Sequence, residues 1–279
     1  MKQLFDDVSF KCSKLVTKNY STSFSLAVYM LAPSIRDAIY SIYGFVRFAD
    51  EIVDSFHGFD KEDLINDFEK EYYKAYNSGI SLNPILNSFQ STVKEYNITD
   101  DLIQAFLKSM KLDLIKSDYN SLEEYNEYIY GSADVVGLMC LKVFVAGQDQ
   151  KYEQLKGEAM RLGSAFQKVN FLRDLKEDNL LLNRNYFPGI DLNSFDEKAK
   201  NAIIKEIEED FKIAYEGIVK LPIEAKFGVY TAYVYYKKLL KKLENTPYHQ
   251  IGNERVRVSN YTKAALLAQS FVSYKLKLV

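Results

Sequence analysis

The sequence predicts an all-α fold, and three observations carry that expectation. Apolar residues recur at three- and four-residue spacing, as in Ile35, Ala38, Ile39, Ile42, Val46, Ala49 and Val53, which is the helical period. Only 5 prolines and 12 glycines punctuate 279 residues, so few positions force a helix to stop. No alternating strand–turn–strand pattern, no Gly-x-Gly-x-x-Gly and no Walker loop stands out.

The first expected helix, about 3–18, carries Asp6, Asp7 and Lys11 and lacks the long apolar core of a signal peptide. The longest uncharged stretch follows, Tyr20–Ile35; Ser, Thr and Pro33 interrupt it, and it is too short to span a bilayer. Pro33-Ser34 then marks the start of a helix over 34–56. The same period gives helices at about 61–77 and 84–96, and Thr99-Asp100-Asp101 opens another over 100–115. Further helices are expected over 121–146, 150–178, 195–219, 223–244 and 260–275. The gaps are short and lack Pro/Gly/Ser enrichment, so residues 1–279 are expected to form a single domain.

Composition narrows the function. With 36 basic and 38 acidic side chains there is no basic excess, which argues against a nucleic-acid partner. Forty Tyr and Phe side chains (22 and 18) exclude intrinsic disorder. Two isolated cysteines, Cys12 and Cys140, make no disulfide framework or zinc ribbon and fit a reducing cytoplasm. Two histidines are too few for most imidazole-ligated metal sites.

Two helices carry aspartates at i, i+4. One reads Arg47-Phe48-Ala49-Asp50-Glu51-Ile52-Val53-Asp54; the other reads Asn170-Phe171-Leu172-Arg173-Asp174-Leu175-Lys176-Glu177-Asp178. Residues four apart share a helix face, and like charges there repel by a few tenths of a kcal/mol. A divalent cation would offset that repulsion. At about 100° per residue, Tyr43, Arg47, Asp50 and Asp54 form one polar stripe, and Gly163, Gln167, Asn170, Asp174 and Asp178 form another. The remaining faces are apolar, so these helices are expected to be buried, with the stripes lining a cavity. A single such pair is ordinarily a solvated face; two, each beside an arginine, point elsewhere. Four carboxylates without imidazole or thiol suit Mg²⁺ or Mn²⁺ completed by substrate phosphate, with Arg47 and Arg173 adding phosphate contacts.

These two motifs, with Tyr43-Gly44-Phe45-Val46 before the first and Arg161-Leu162-Gly163 before the second, resemble the squalene/phytoene synthases, trans head-to-head prenyltransferases with the all-α isoprenoid-synthase fold. Ser21-Thr22-Ser23-Phe24, Tyr128-Ile129-Tyr130-Gly131, Asn183-Arg184-Asn185-Tyr186-Phe187-Pro188 and Arg255-Val256 extend the resemblance over nearly the whole chain. It implies that Asp50, Asp54, Asp174 and Asp178 hold Mg²⁺, with Asn170 close to the metal. It further implies that Ser21, Ser23, Arg47, Arg173, Arg255 and Lys263 contact diphosphate, and that Gln167 and Tyr130 border the reacting centre. Tyr236 matches a family tyrosine across a two-residue gap. Phe24, Tyr43, Phe45 and Tyr130 are aromatic candidates for cation stabilisation, with plain core packing the alternative for each. Thr22 stands where relatives carry a basic or small residue, and Asp134 where many carry no acid.

The implied reaction joins two geranylgeranyl diphosphates to phytoene through a cyclopropyl diphosphate, without NADPH. The alternatives are squalene or dehydrosqualene from farnesyl diphosphate, a terpene cyclase, and a non-catalytic helical subunit. Val135, Val136, Leu138, Met139 and Leu141 are candidates for an apolar tail cavity. The basic, amphipathic stretch Tyr235–Leu243 reads first as a solvated lysine face, with transient contact with an anionic membrane surface as the alternative. No feature sets an oligomeric state.

Overall fold

Helices begin almost at once and account for most of the described residues. The computed structural model describes residues 1–182, 184–190, 195–251 and 255–276, with side chains for all of these except 177–182. In chain order the helices are α1 (Lys2–Tyr20), α2 (Thr22–Tyr29), α3 (Pro33–Ser55), α4 (Lys61–Ser78), α5 (Pro84–Glu95), α6 (Asp100–Leu112) and α7 (Leu122–Ile129). They continue with α8 (Val135–Phe144), α9 (Asp149–Leu182), α10 (Glu197–Ile218), α11 (Ile223–Asn245) and α12 (Asn260–Lys275). No β-strand occurs among the described residues. None of the described helices is long and apolar enough to cross a membrane.

Local chemistry explains most boundaries. Pro33 occupies the first turn of α3, where its missing N–H is no loss, and the Ala32 amide donates instead to the Glu224 carbonyl at the start of α11 (2.8 Å). Asn83 and Asp60 cap α5 and α4 through their side-chain oxygens, and Gly79 closes α4 in the left-handed region at φ 73°. α3 then buries Ile39, Ile42, Phe45, Ala49 and Val53 in a core shared with α4, α5, α6 and α8. A second cluster, built from α7, α9, α10 and α11, centres on Val169, Leu172, Ile207, Phe211 and Leu243.

Two elements differ from the sequence expectation. Within Tyr20–Ile35 there is a short helix, α2, whose N-terminus is capped by Ser21 accepting from the Phe24 amide (3.2 Å). The lack of charged residues hid it, because hydroxyl side chains give a helical period too little polar contrast to register. The expected helix 121–146 is broken by a π-helical turn at Tyr130–Asp134. Close packing accounts for the break: a Cβ on Gly131 would lie 2.8 Å from Ser109 Cβ and 2.9 Å from the Ala105 carbonyl oxygen of α6. On the other side Gly163 of α9 approaches Ala133 O equally closely (2.9 Å to an added Cβ). A widened turn lets the chain pass between α6 and α9.

Candidate active site

The helices α2, α3, α8, α9, α10 and α11 enclose a cavity of about 320 Å³, in the size range of small-molecule sites. α9 contributes Leu155, Glu158, Leu162, Phe166 and Asn170, together with the adjoining Ala159, Gly163 and Gln167. The spacing alternates three and one, so a single face of this helix lines the cavity for fifteen residues, about 22 Å. The polar stripe recognised in the sequence is the continuation of that face. Gln167 and Asn170 stand where it turns polar, and Asp174 follows one turn on.

On the opposing side Phe24 and Tyr43 stack at the cavity wall, their ring centroids 4.8 Å apart. Burial pushes the Tyr43 phenol up to about 12, so it stays neutral. Tyr236 stacks on Phe166 (4.0 Å) and brings its Oη to 3.5 Å from Asn170 Oδ1. The tyrosine placed only by a gapped match therefore does stand beside the second acidic stripe.

Arginines hold the described acids of both stripes. Arg47 pairs with Asp50 and Glu51, while its guanidinium covers the Tyr20 ring (4.4 Å). Arg173 binds Asp174 through Nε (2.8 Å) and Nη2, and Arg255 approaches the same carboxylate (3.2 Å). Asp54 accepts from Arg184 Nη1 at 2.8 Å. Arg184 lies two residues past the end of α9, so this pair ties the segment that follows α9 to the first stripe. Asp178 belongs to α9, but its side chain lies outside those described. Among those described, no three carboxylate, imidazole or thiol groups converge as a ready-made metal cluster.

The acidic region nevertheless suits a hard cation. Asp50 keeps a third of its side-chain surface (34%), yet the surrounding protein, and then the Asp54 charge one turn away, push its carboxyl up. A mutually repelling carboxylate pair in a partly desolvated recess is an all-oxygen donor set of the type that holds Mg²⁺.

Sequence reasoning missed three residues here. Asp113, at the end of α6, is almost fully buried, and burial pushes its carboxyl up to about 7. Tyr128 donates to it (3.0 Å), and Arg184 donates to its backbone carbonyl (3.1 Å). None of the three belongs to a spaced pair, although Tyr128 and Arg184 lie within motifs already quoted. Tyr130, expected at the reacting centre, does not line the cavity; Asp101 and Lys156 are among the charges around it. Residues two apart on a helix point about 200° apart, so with Tyr128 against the acids Tyr130 faces away. The same geometry removes Phe45: with Tyr43 at the wall, Phe45 is fully buried and stacks on Phe89 (3.9 Å) in the core.

The other expected residues fall as follows. Ser21 is engaged as the α2 cap, and Ser23 is partly buried in the first turn of that helix. Lys263 reaches Thr22 (3.3 Å), which joins α12 to the Ser21–Ser23 segment. Of the five apolar candidates after the middle motif, Val136 and Leu141 line the cavity, whereas Val135, Leu138 and Met139 are core. Asp134 faces neither solvent nor the cavity: it is buried and accepts from Ser164 at 2.7 Å. It borders an internal network in which Lys168 binds Asp210 (2.7 Å) and Glu206, and Arg161 also binds Asp210 (2.9 Å). In the basic stretch, Lys237 lies over the Phe211 ring (5.7 Å) and Lys242 donates to the Arg257 carbonyl (2.6 Å), while Lys238 and Lys241 stay exposed.

The chain is similar to known proteins over almost its full length. A phytoene synthase from Arthrospira platensis is 26% identical over 93% of this chain and 91% of that protein. Among solved structures, a dehydrosqualene synthase superposes with a TM-score of 0.84 over 97% of this chain and 98% of the other. The squalene synthase HpnC from Alicyclobacillus acidocaldarius superposes with a TM-score of 0.74 over 86% and 95%. Both structures are 20% identical to this chain, and that likeness shows the shared fold. The model of the squalene/phytoene synthase family matches residues 17–262, which include both acidic stripes and the cavity helices. The chain belongs to the squalene/phytoene synthase family and is a prenyltransferase.

Proposed function

We propose that this protein condenses two geranylgeranyl diphosphate molecules head to head into phytoene, through a cyclopropyl diphosphate, with Mg²⁺ and without NADPH. One observation carries the reading: a single face of α9 passes from Asp174 and its arginine partners, through Asn170 and Gln167, to an apolar wall at Phe166, Gly163 and Leu162. A molecule with an anionic head and a long hydrocarbon tail matches that gradient. The similarity to phytoene synthases supports the C40 product over the C30 alternatives.

In this reading Arg47, Arg173 and Arg255 release their carboxylate partners and grip diphosphate oxygens, for which the planar guanidinium is suited. Asp50, Asp54, Asp174 and Asp178, with Asn170, would hold Mg²⁺, which when bound neutralises charge developing on the departing diphosphate. Phe24 and Tyr43 present ring faces to the allylic cation left behind, and apolar walls from Val46 to Phe166 keep water from quenching it. Tyr43, held neutral by burial, offers a polarisable face without a competing phenolate nucleophile. No protein nucleophile enters the scheme.

Release of inorganic diphosphate from geranylgeranyl diphosphate tests it. Asp174→Asn keeps the fold while removing one charge from the stripe, and the rate is expected to fall about 10²–10³-fold, the usual loss for one electrostatic stabiliser. Undiminished release in that variant would refute the assignment of the second stripe.

A further inference from the structure

We propose that the ion pair between Glu158 and Lys220 is the stop that sets how long a prenyl tail the cavity accepts. Among the described residues that line the cavity, Glu158 is the one with a charged side chain. It stands towards the end of α9's lining face remote from the acidic rim, with Leu155 alone beyond it among the α9 residues that line the cavity. Its carboxylate is largely covered (18% of the side chain exposed) and accepts from Lys220 Nζ at 3.1 Å, whereas Lys220 is mostly in water (56%). The pair therefore sits where the tunnel reaches the surface. Gly217 locks it in place: a Cβ there would come within 2.5 Å of Glu158 Cβ, so the end of α10 presses directly on the Glu158 stem.

The position has a length attached to it. Asn170 at the rim and Glu158 are twelve residues apart on one helix, about 18 Å. An isoprene unit spans about 5 Å, four bonds of roughly 1.5 Å laid zig-zag. Three units leave the last turn before Glu158 unfilled, four units with modest bending reach it, and a fifth would run into the pair. An apolar chain end pushed against a half-buried ion pair strips its water and gives no hydrogen bond in return, which is unfavourable. Contact with Phe166 and Leu162, by contrast, is favourable up to that point. The stop rests on the reading of the rim as the diphosphate end.

Binding of non-ionisable prenyl S-thiolodiphosphates of 15, 20 and 25 carbons, with Mg²⁺, separates the two ideas by titration calorimetry. Wild-type protein is expected to bind the C25 probe at least about tenfold more weakly than the C20 probe, the scale of discrimination by an apolar pocket of fixed depth. Glu158→Ala should bring the two within about threefold by opening the end, while Glu158→Gln, still polar and of the same size, keeps the discrimination. A purely structural pair would alter the melting temperature without moving the C25-to-C20 ratio. If Glu158→Ala leaves the length profile unmoved, the stop is refuted and the substrate reading survives. If the wild type binds no prenyl probe of any length, the substrate reading itself falls, and the stop with it.

Discussion

Replacing Arg184 by Met should destabilise the protein in a way that both pH and Mg²⁺ can reverse. Arg184 is 7% exposed and is placed among three acids: Asp54 at 2.8 Å, Asp113 at 3.9 Å, and Asp50 within electrostatic range. Methionine fills much of the volume but leaves the carboxylates without a cation. Removing one partner of a buried pair costs about 3–5 kcal/mol. Asp54 is 30% exposed, so solvent screens its share and the expected loss is about 2–4 kcal/mol. At about 2.1 cal/mol/K per residue over this chain, that lowers the melting temperature by about 3–7 °C. The pH dependence has a definite sign. The buried Asp113 carboxyl is held up near 7, and Asp50 is raised for the same reason, so both bind protons more tightly folded than unfolded. Stability tied to their neutral forms is complete below about 4 and lost as pH rises through about 7. The deficit of Arg184→Met should therefore be small at pH 5 and full at pH 8. Millimolar Mg²⁺ should recover part of it at pH 8, because the same acids gain a replacement cation. Calorimetric melting at pH 5 and 8, with and without Mg²⁺, reads all three effects. An equal loss at both pH values, unmoved by Mg²⁺, would refute the view that Arg184 balances the acidic cluster.

Two further outcomes follow from the interior. Asp134 is raised to about 7 by burial, against Ser164 and with Lys168, Asp210 and Arg161 near, so between about 4 and 7 its carboxyl draws stability down as pH rises. Asp134→Asn should flatten that slope in urea titrations and be the more stable protein at pH 8, by at most about 4 kcal/mol at 1.36 kcal/mol per unit; parallel pH profiles would contradict this. Gly131→Ala places a methyl 2.8 Å from Ser109 Cβ and 2.9 Å from a backbone oxygen, and should cost about 1–3 kcal/mol as an overpacked site. Ser109→Gly in the same chain should restore part of it, and a neutral Gly131→Ala would show that the π-turn is not set by this contact.

The parts of the site that were legible in the sequence share one property: they repeat along a helix. Asp50–Asp54 and Gln167–Asn170–Asp174 announce a common face because i, i+3 and i+4 positions stack, and the structure puts Asn170 and Gln167 at the cavity. What repetition cannot show is contact between distant segments. Asp113 is a single acid at a helix end, and nothing near it in sequence tells that Arg184 arrives from 71 residues away. Tyr128 and Tyr130 differ by two positions and look equivalent until the packing of Gly131 on α6 decides which one faces the acids. The apolar residues after that turn sort into lining and core by the same non-local packing. The α2 helix was hidden for another reason, an uncharged stretch of apolar and hydroxyl side chains with too little contrast for any period to register.

The most direct test of the account is chromatography of the hydrocarbons formed from geranylgeranyl diphosphate and Mg²⁺ in the absence of NADPH, with farnesyl diphosphate run in parallel. The account predicts a C40 phytoene product from geranylgeranyl diphosphate, dependent on the metal and formed about 10²–10³-fold more slowly by Asp174→Asn. A coupled product formed only from farnesyl diphosphate, or no coupled hydrocarbon from either substrate, would contradict it.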